Sequence, residues 1–177
     1  IATSENNSMN LNPGVTFGAN PFTIEGWFRM TSVPINGSGL LATKYQKGLS
    51  LVVNDLNDIG LDELLEYQYH FTVPTMSLNK WYHVVVVRDN NNNMTLFLDG
   101  IKTSSIYGVS GAGVRTNFSD NVISNTTNYS AKTNQIGEFG NGLSFFNGQI
   151  ADISAIVGSA KYDPTTSLQK EICSYSD

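Results

Sequence analysis

Trp81-Tyr82-His83-Val84-Val85-Val86-Val87-Arg88-Asp89, followed after Asn90-Asn91-Asn92-Asn93 by Met94-Thr95-Leu96-Phe97-Leu98, decides the fold class. Two apolar runs joined by residues that tolerate left-handed backbone read as a β-hairpin. Val84 to Val87 is apolar at every position, where a strand with one wet face would alternate. The strand is therefore expected to be central and covered on both sides. Asp99-Gly100 makes the next tight turn, into Ile101 to Ile106, and extends the hairpin to a three-stranded meander.

Outward from this meander, strand signals recur between Gly, Asn, Asp and Pro, without a sustained helical period. Phe22 to Met30 alternates, with Phe22, Ile24, Gly26, Phe28 and Met30 on one face and Thr23, Glu25, Trp27 and Arg29 on the other. Gly39 to Tyr45 and Gly48 to Val53 form a hairpin turned around Gln46-Lys47. In Ile59 to Tyr67, Leu61, Leu64 and Leu65 fit a helical turn, and the segment is expected to be a short helix or loop. The polar stretch Gly108 to Lys132 reads as a long loop of the kind that often serves binding. Gln135 to Gly137 and Gly148 to Ile156 close the sheets, and Tyr162 to Asp177 is expected to run over the surface.

The 177 residues fit one all-β domain spanning 1–177. Cys173 is the lone cysteine, so packing and sheet ladders have to supply the stability of an intrachain-disulfide-free fold. A net charge of -5 with scattered basic residues argues against nucleic acid as a partner. No run approaches the roughly 18 apolar residues of a membrane span, so no membrane insertion is expected. The start Ile1-Ala2-Thr3 suggests a processed or excised piece. Charged residues are only 14 % of the chain, with Asn, Ser, Thr and Gly dominating the polar positions, a style of extracellular, cell-surface or virion-surface proteins. Asn-x-Ser/Thr triplets begin at Asn6, Asn36, Asn93, Asn117, Asn125 and Asn128.

Four segments are familiar in their order: Phe22-Thr23-Ile24-Glu25-Gly26-Trp27-Phe28, Trp81-Tyr82-His83-Val84-Val85-Val86-Val87, Leu96-Phe97-Leu98-Asp99-Gly100 and Phe146-Asn147-Gly148-Gln149-Ile150-Ala151-Asp152-Ile153. Together they resemble the laminin-G and pentraxin-like branch of the concanavalin A-like lectin/glucanase superfamily. Ile156 to Pro164 further resembles the tail of versions carried by phage and large-virus structural proteins, with Lys161-Tyr162 in place of Arg-Tyr. The resemblance implies a jelly-roll sandwich of two curved antiparallel sheets with about a dozen strands and loops gathered at the rims. It makes His83 a structural histidine of the central strand.

The resemblance also implies a calcium site at the rim, where Asn57 with Asp58, and Glu138 with Asn141, occupy the ligand-bearing loops and would approach each other. Asp152 offers an alternative structural ion site. For sugar binding, which needs rings and polar side chains together, the candidates are Tyr45, Tyr107, Asn128, Tyr129, Phe139 and Asn141. Of Phe145 and Phe146, one must point inward. Hydrolases of this architecture carry a Glu-x-Asp-x-x-Glu strand that sets two carboxyls roughly 5 Å apart. That pattern is absent from the chain, and Asp62, Glu63 and Glu66 read as a solvated acidic loop. No catalytic residue is assigned, and His70 and His83 read as satisfied core or rim residues. The expected function is that of a non-catalytic carbohydrate-binding or adhesion module of a larger surface, secreted or virion protein, binding glycans through rim loops, with calcium as the cofactor the resemblance implies. A structural or protein-binding domain of a fibre or capsid is the alternative, and a polysaccharide-degrading enzyme the third reading.

Overall fold

The computed structural model describes residues 2–3, 8–34, 37–42, 48–62, 67–118, 121–131, 133–138 and 145–166. In chain order the strands are β1 (Ala2–Thr3), β2 (Met9–Val15), β3 (Phe22–Met30), β4 (Ser38–Ala42), β5 (Ser50–Asp55), β6 (Asp58–Asp62), β7 (Tyr67–Thr72) and β8 (Trp81–Arg88). They continue as β9 (Asn93–Leu98), β10 (Ile101–Lys102), β11 (Ser105–Ser110), β12 (Arg115–Phe118), β13 (Ile123–Ser124), β14 (Thr133–Ile136) and β15 (Gly148–Val157). Among the described residues they form two antiparallel sheets and no helix occurs. One sheet is ordered β1-β15-β3-β8-β9-β10, with β13 also on β9, and the other β12-β11-β7-β6-β5-β4-β14-β2. This is the expected jelly-roll sandwich.

The alternation of β3 places Phe22, Ile24, Phe28 and Met30 fully inside, between the sheets. β8 lies between β3 and β9, as its unbroken apolar run requires. Val84 and Val86 join the main core, whereas Val85 and Val87 form a second cluster with Phe97 on the outer face. Ala160 and Tyr162 pack over that cluster, so the start of the tail covers the surface as expected. Trp81 faces outward and is half-buried, and Tyr82 is the core ring of this segment. Gly26 is required by β15: a Cβ there would lie 2.3 Å from Ile153 Cδ1, because the bulge at Asp152, φ 50°, turns Ile153 over it.

Several local expectations change. Ile59 and Leu61 point into the core from β6, paired on both sides by β5 and β7, so 58–62 is strand and not the expected helix or loop; 63–66 lie outside the described residues. Ile101 to Ile106 is not one strand. β10 stays on β9, the buried Thr103 donates its backbone N–H to Leu96 O and its hydroxyl to Thr72 O, and β11 continues in the other sheet. The expected loop from Gly108 to Lys132 holds the end of β11 together with β12 and β13. Gly39 and Leu41 pair with Val52 and Leu51 as the hairpin reading requires, although its turn at Gln46-Lys47 is outside the described residues.

At the end of β8 the Arg88 side chain is completely buried. Its guanidinium donates to Asn20 O at 2.6 and 3.1 Å, Gly18 O at 2.9 Å, Thr127 O at 2.8 Å and Asn125 Oδ1 at 2.9 Å. It lies 4.8 Å from the Phe22 ring and 5.2 Å from the Tyr129 ring. Removing it strips Asn20 O and Thr127 O of these donors and leaves Gly18 O and Asn125 Oδ1 with Tyr129 alone, so Arg88→Ala should cost about 3 kcal/mol in urea denaturation. Arg88→Lys should recover only part, since one ammonium cannot span the fork. An Ala variant within about 1 kcal/mol of wild type would show that the contacts carry little net stability.

Candidate functional site

The outer face of the second sheet gathers polar side chains from adjacent strands. Val53, Ile59, Tyr69, Phe71 and Ile106 are buried inside, and alternation therefore turns Asn54, Asp58, His70 and Tyr107 outward. Gly60 pairs with His70, His70 with Tyr107, and Tyr107 with Asn117, which sets the side chains in a row across β6, β7, β11 and β12. The His70 and Tyr107 rings stack at 4.5 Å with 2° between their planes. Arg115 lies 3.8 Å above the Tyr107 ring, its Nε donating to Asn117 Oδ1 at 3.3 Å.

Asp58 anchors the row. Its Oδ2 accepts from His70 Nδ1 at 2.8 Å and from the Tyr107 hydroxyl at 3.1 Å, while Oδ1 accepts from Asn54 Nδ2 at 3.0 Å. With Nδ1 donating to the carboxylate, His70 keeps Nε2 for a further partner. Asn54 reaches Asp58 across Gly60, where a Cβ would stand 2.7 Å from its amide nitrogen. Burial pushes the Asp58 carboxyl up, but the hydrogen bonds from His70, Asn54 and Tyr107 and the attraction of His70 outweigh it and hold the group below its ordinary 3.8. Burial first, and then the adjacent Asp58 charge, push the Tyr107 hydroxyl above its ordinary value.

Of the candidates read from the sequence, the structure brings Asp58 and Tyr107 together, although Tyr107 stands on β11 and not in a loop. Asn57 is exposed in the turn before β6, its N–H donating to Asp55 Oδ1 at 2.8 Å, a loop-stabilising Asx arrangement. Asn128 is exposed. Tyr129 is a correction: its ring is completely buried against Phe22, its backbone pairs with Gly18 and its hydroxyl donates to Asn125 Oδ1, leaving no ring face for a ligand. Phe146 is the inward ring of its pair and Phe145 is half-buried. Tyr45, Phe139 and Asn141 lie outside the described residues.

Two of the implied calcium ligands, Asp58 and Glu138, stand at strands that are not neighbours. Glu138 is buried and accepts from Gln135 Nε2 at 3.1 Å, next to β14, with β4 and β5 between it and β6. Strand spacing puts that separation at about 14 Å. Asp152 is exposed on β15 in the other sheet. Among the described residues no three His, Cys, Asp or Glu side chains stand together as a metal-binding group. Sequence reasoning missed Asn54, Arg115 and the part His70 plays. The signal was the alternation Gln68-His70-Thr72 against Tyr69-Phe71, which needed the register of β7 on β6 and β11 to become a cluster.

The two-sheet sandwich thus carries a hydrogen-bonded polar row on the outer face of its second sheet. Residues 3–156 match Laminin_G_3, of the Concanavalin A-like lectin/glucanases superfamily, and the chain belongs to that family. No curated protein sequence matches it. Among solved structures it is similar to a Bacteroides ovatus protein provisionally described as carbohydrate-binding, with 18% identity, a TM-score of 0.57, and coverage of 88% of this chain and 42% of that one. Domains LG4-5 of the mouse laminin alpha1 chain give 12% identity, a TM-score of 0.55 and coverage of 90% and 42%. The native heptameric SAP-like pentraxin of Limulus polyphemus gives 15%, 0.53, and 87% and 72%. At these identities the likeness establishes the fold.

Because the folded Asp58 pKa is lowered, its contribution is present above the ordinary 3.8 and is lost as pH falls through the folded value. Asp58→Asn should therefore melt below wild type at neutral pH, with the gap closing as pH drops below 3.8. Thermal melts of both proteins across the acid range test this, and a gap that stays constant would remove Asp58 as the charged anchor.

Proposed function

We propose that this domain is a non-catalytic carbohydrate-binding or adhesion module of a larger secreted, surface or virion protein, and that it engages glycans through the Asp58–Tyr107–Arg115 face. The observation that carries the reading is the row itself: five polar or ring side chains from five strands, held by hydrogen bonds and stacking on an outward sheet face. Both faces of the Tyr107 ring are occupied, by His70 and Arg115, so a pyranose would not stack on it. The groups offered to sugar hydroxyls are instead His70 Nε2, the Arg115 guanidinium and the Asn117 amide. Family membership and the likeness to a protein described as carbohydrate-binding support this class of ligand. The partners of Asp58 are a histidine, an amide and a phenol, whereas glycoside hydrolysis needs a second carboxyl across the scissile bond. No described helix is long and apolar enough to cross a membrane.

A glycan array probed with wild type, Arg115→Ala and His70→Ala is the test. Shared hits should weaken about tenfold in each variant, the loss of one charge-assisted hydrogen bond. The Arg115→Ala midpoint should move by less than about 4 °C, since that side chain is exposed, whereas His70→Ala also loses the hydrogen bond to Asp58 and should melt lower. Hits should survive a chelator, because the expected calcium ligands stand apart; loss of binding on chelation would restore a metal-dependent reading. A blank array would turn the assignment to the assembly or protein-binding alternative.

A further inference from the structure

The family match ends at residue 156, and the chain beyond it builds a feature on the opposite side of the sandwich. Residues 160–166 cross the outer face of the first sheet as a strap. Lys161 N donates to Thr23 Oγ1 at 2.8 Å, Lys161 Nζ to Glu25 Oε1 at 2.6 Å, and the Tyr162 hydroxyl to Glu25 Oε2 at 2.8 Å. Between the strap and the β8–β9 turn lies an open cleft of about 410 Å³, lined by Asp89, Asn91, Asn93 and residues 160–165. Small-ligand sites commonly have volumes of this order.

Both walls are fixed in advance. Asp89 Oδ1 accepts from the N–H groups of Asn91 and Asn93 at 2.8 Å each, and Oδ2 from Asn93 Nδ2 at 3.1 Å. Asp163 Oδ1 accepts the N–H of Thr165 at 2.8 Å and its hydroxyl at 2.6 Å. These bonds spend one oxygen of Asp163 and leave the other, with the exposed Asn91 side-chain amide, open to a ligand among the described residues.

The lining selects among ligand classes by elimination. Asp89 and Asp163 oppose an anion, and the Lys161 ammonium is already given to Glu25. A cation, which needs several oxygen ligands, would find one unspent carboxylate oxygen, on Asp163, because both oxygens of Asp89 already accept hydrogen bonds. An apolar ligand would leave amide and carboxylate groups unpaired. Ala160, Tyr162 and Pro164 supply a limited apolar surface beside the polar groups. That combination suits a neutral polyhydroxylated ligand with one apolar face, which is a saccharide unit.

We infer that this cleft is a second, independent binding site for a neutral saccharide unit, built by the strap and separate from the Asp58–Tyr107–Arg115 face. The inference does not rest on the function proposed for that face, since the two lie on different sheets.

The test is amide-resolved NMR titration of the whole domain with neutral trisaccharides of glucose, galactose, mannose, xylose and arabinose, each to about 20 mM, well above a millimolar dissociation constant. At least one sugar should shift the amides of 89–93 and 160–165, in wild type and equally in Arg115→Ala. Asn91→Ala, an exposed change that keeps the backbone turn, should weaken that binding about fivefold. Titrations that leave both segments unmoved overturn the inference. So do shifts there that vanish in Arg115→Ala, which would be relayed from the other face. Shifts in these segments with none around Tyr107 would support the cleft while counting against the function proposed above.

Discussion

The buried guanidinium of Arg88 sets the terms for one whole end of the sandwich. A charge without access to water is tolerated only when its donors are matched, and here five hydrogen bonds come from two loops far apart in sequence. Gly18, Asn20 and Thr127 must turn their carbonyls inward, and Asn125 must give up its side-chain oxygen. The same oxygen accepts from the Tyr129 hydroxyl, while Asn125 N donates to Asn92 O, so the clasp also reaches the turn after β8. Segments 17–20 and 125–129 are therefore fixed by the needs of one residue. Adaptable recognition has to come from elsewhere, which explains why a polar, loop-like stretch carrying Tyr129 contributes a core ring.

How much of this was legible depended on whether a signal was local. β3, β8, β9 and β15 announce themselves through alternation or unbroken apolar runs, and the cover over Val85 and Val87 follows from β8 being apolar on both faces. Tyr129 carried no such signal, because its neighbours Asn128 and Ser130 are exposed and nothing nearby repeats. Ile59 to Leu61 misled because two leucines at helical spacing follow, although the strand partners on either side decide its conformation. The Asp58, His70 and Tyr107 cluster is a product of register. Its members are 12 and 37 residues apart in sequence, and a one-residue slip of β11 on β7 would turn Tyr107 into the core and Ile106 out.

The two outer faces solve opposite problems. The second sheet turns hydrogen-bonding groups outward and can leave them in water. The first turns Val85, Val87 and Phe97 outward, and a face of that kind has to be covered. The strap does this, and the question is what holds it there. The Glu25 carboxylate is pushed up by burial and pulled down further by Lys161 and Tyr162, so it is ionised and bonded to both. Yet Lys161 is 46% exposed in its side chain, and an ion pair so open to water contributes about 0 to 1 kcal/mol. Half-burying a tyrosine ring contributes roughly 2 kcal/mol at 25 cal/mol per Å². Packing therefore dominates, with the ion pair setting the position of the strap more than its strength. Salt that screens Lys161 from Glu25 leaves the ring on its cluster. The cleft wall formed by Tyr162 then persists at ionic strengths where a strap tied by charge alone would lift away.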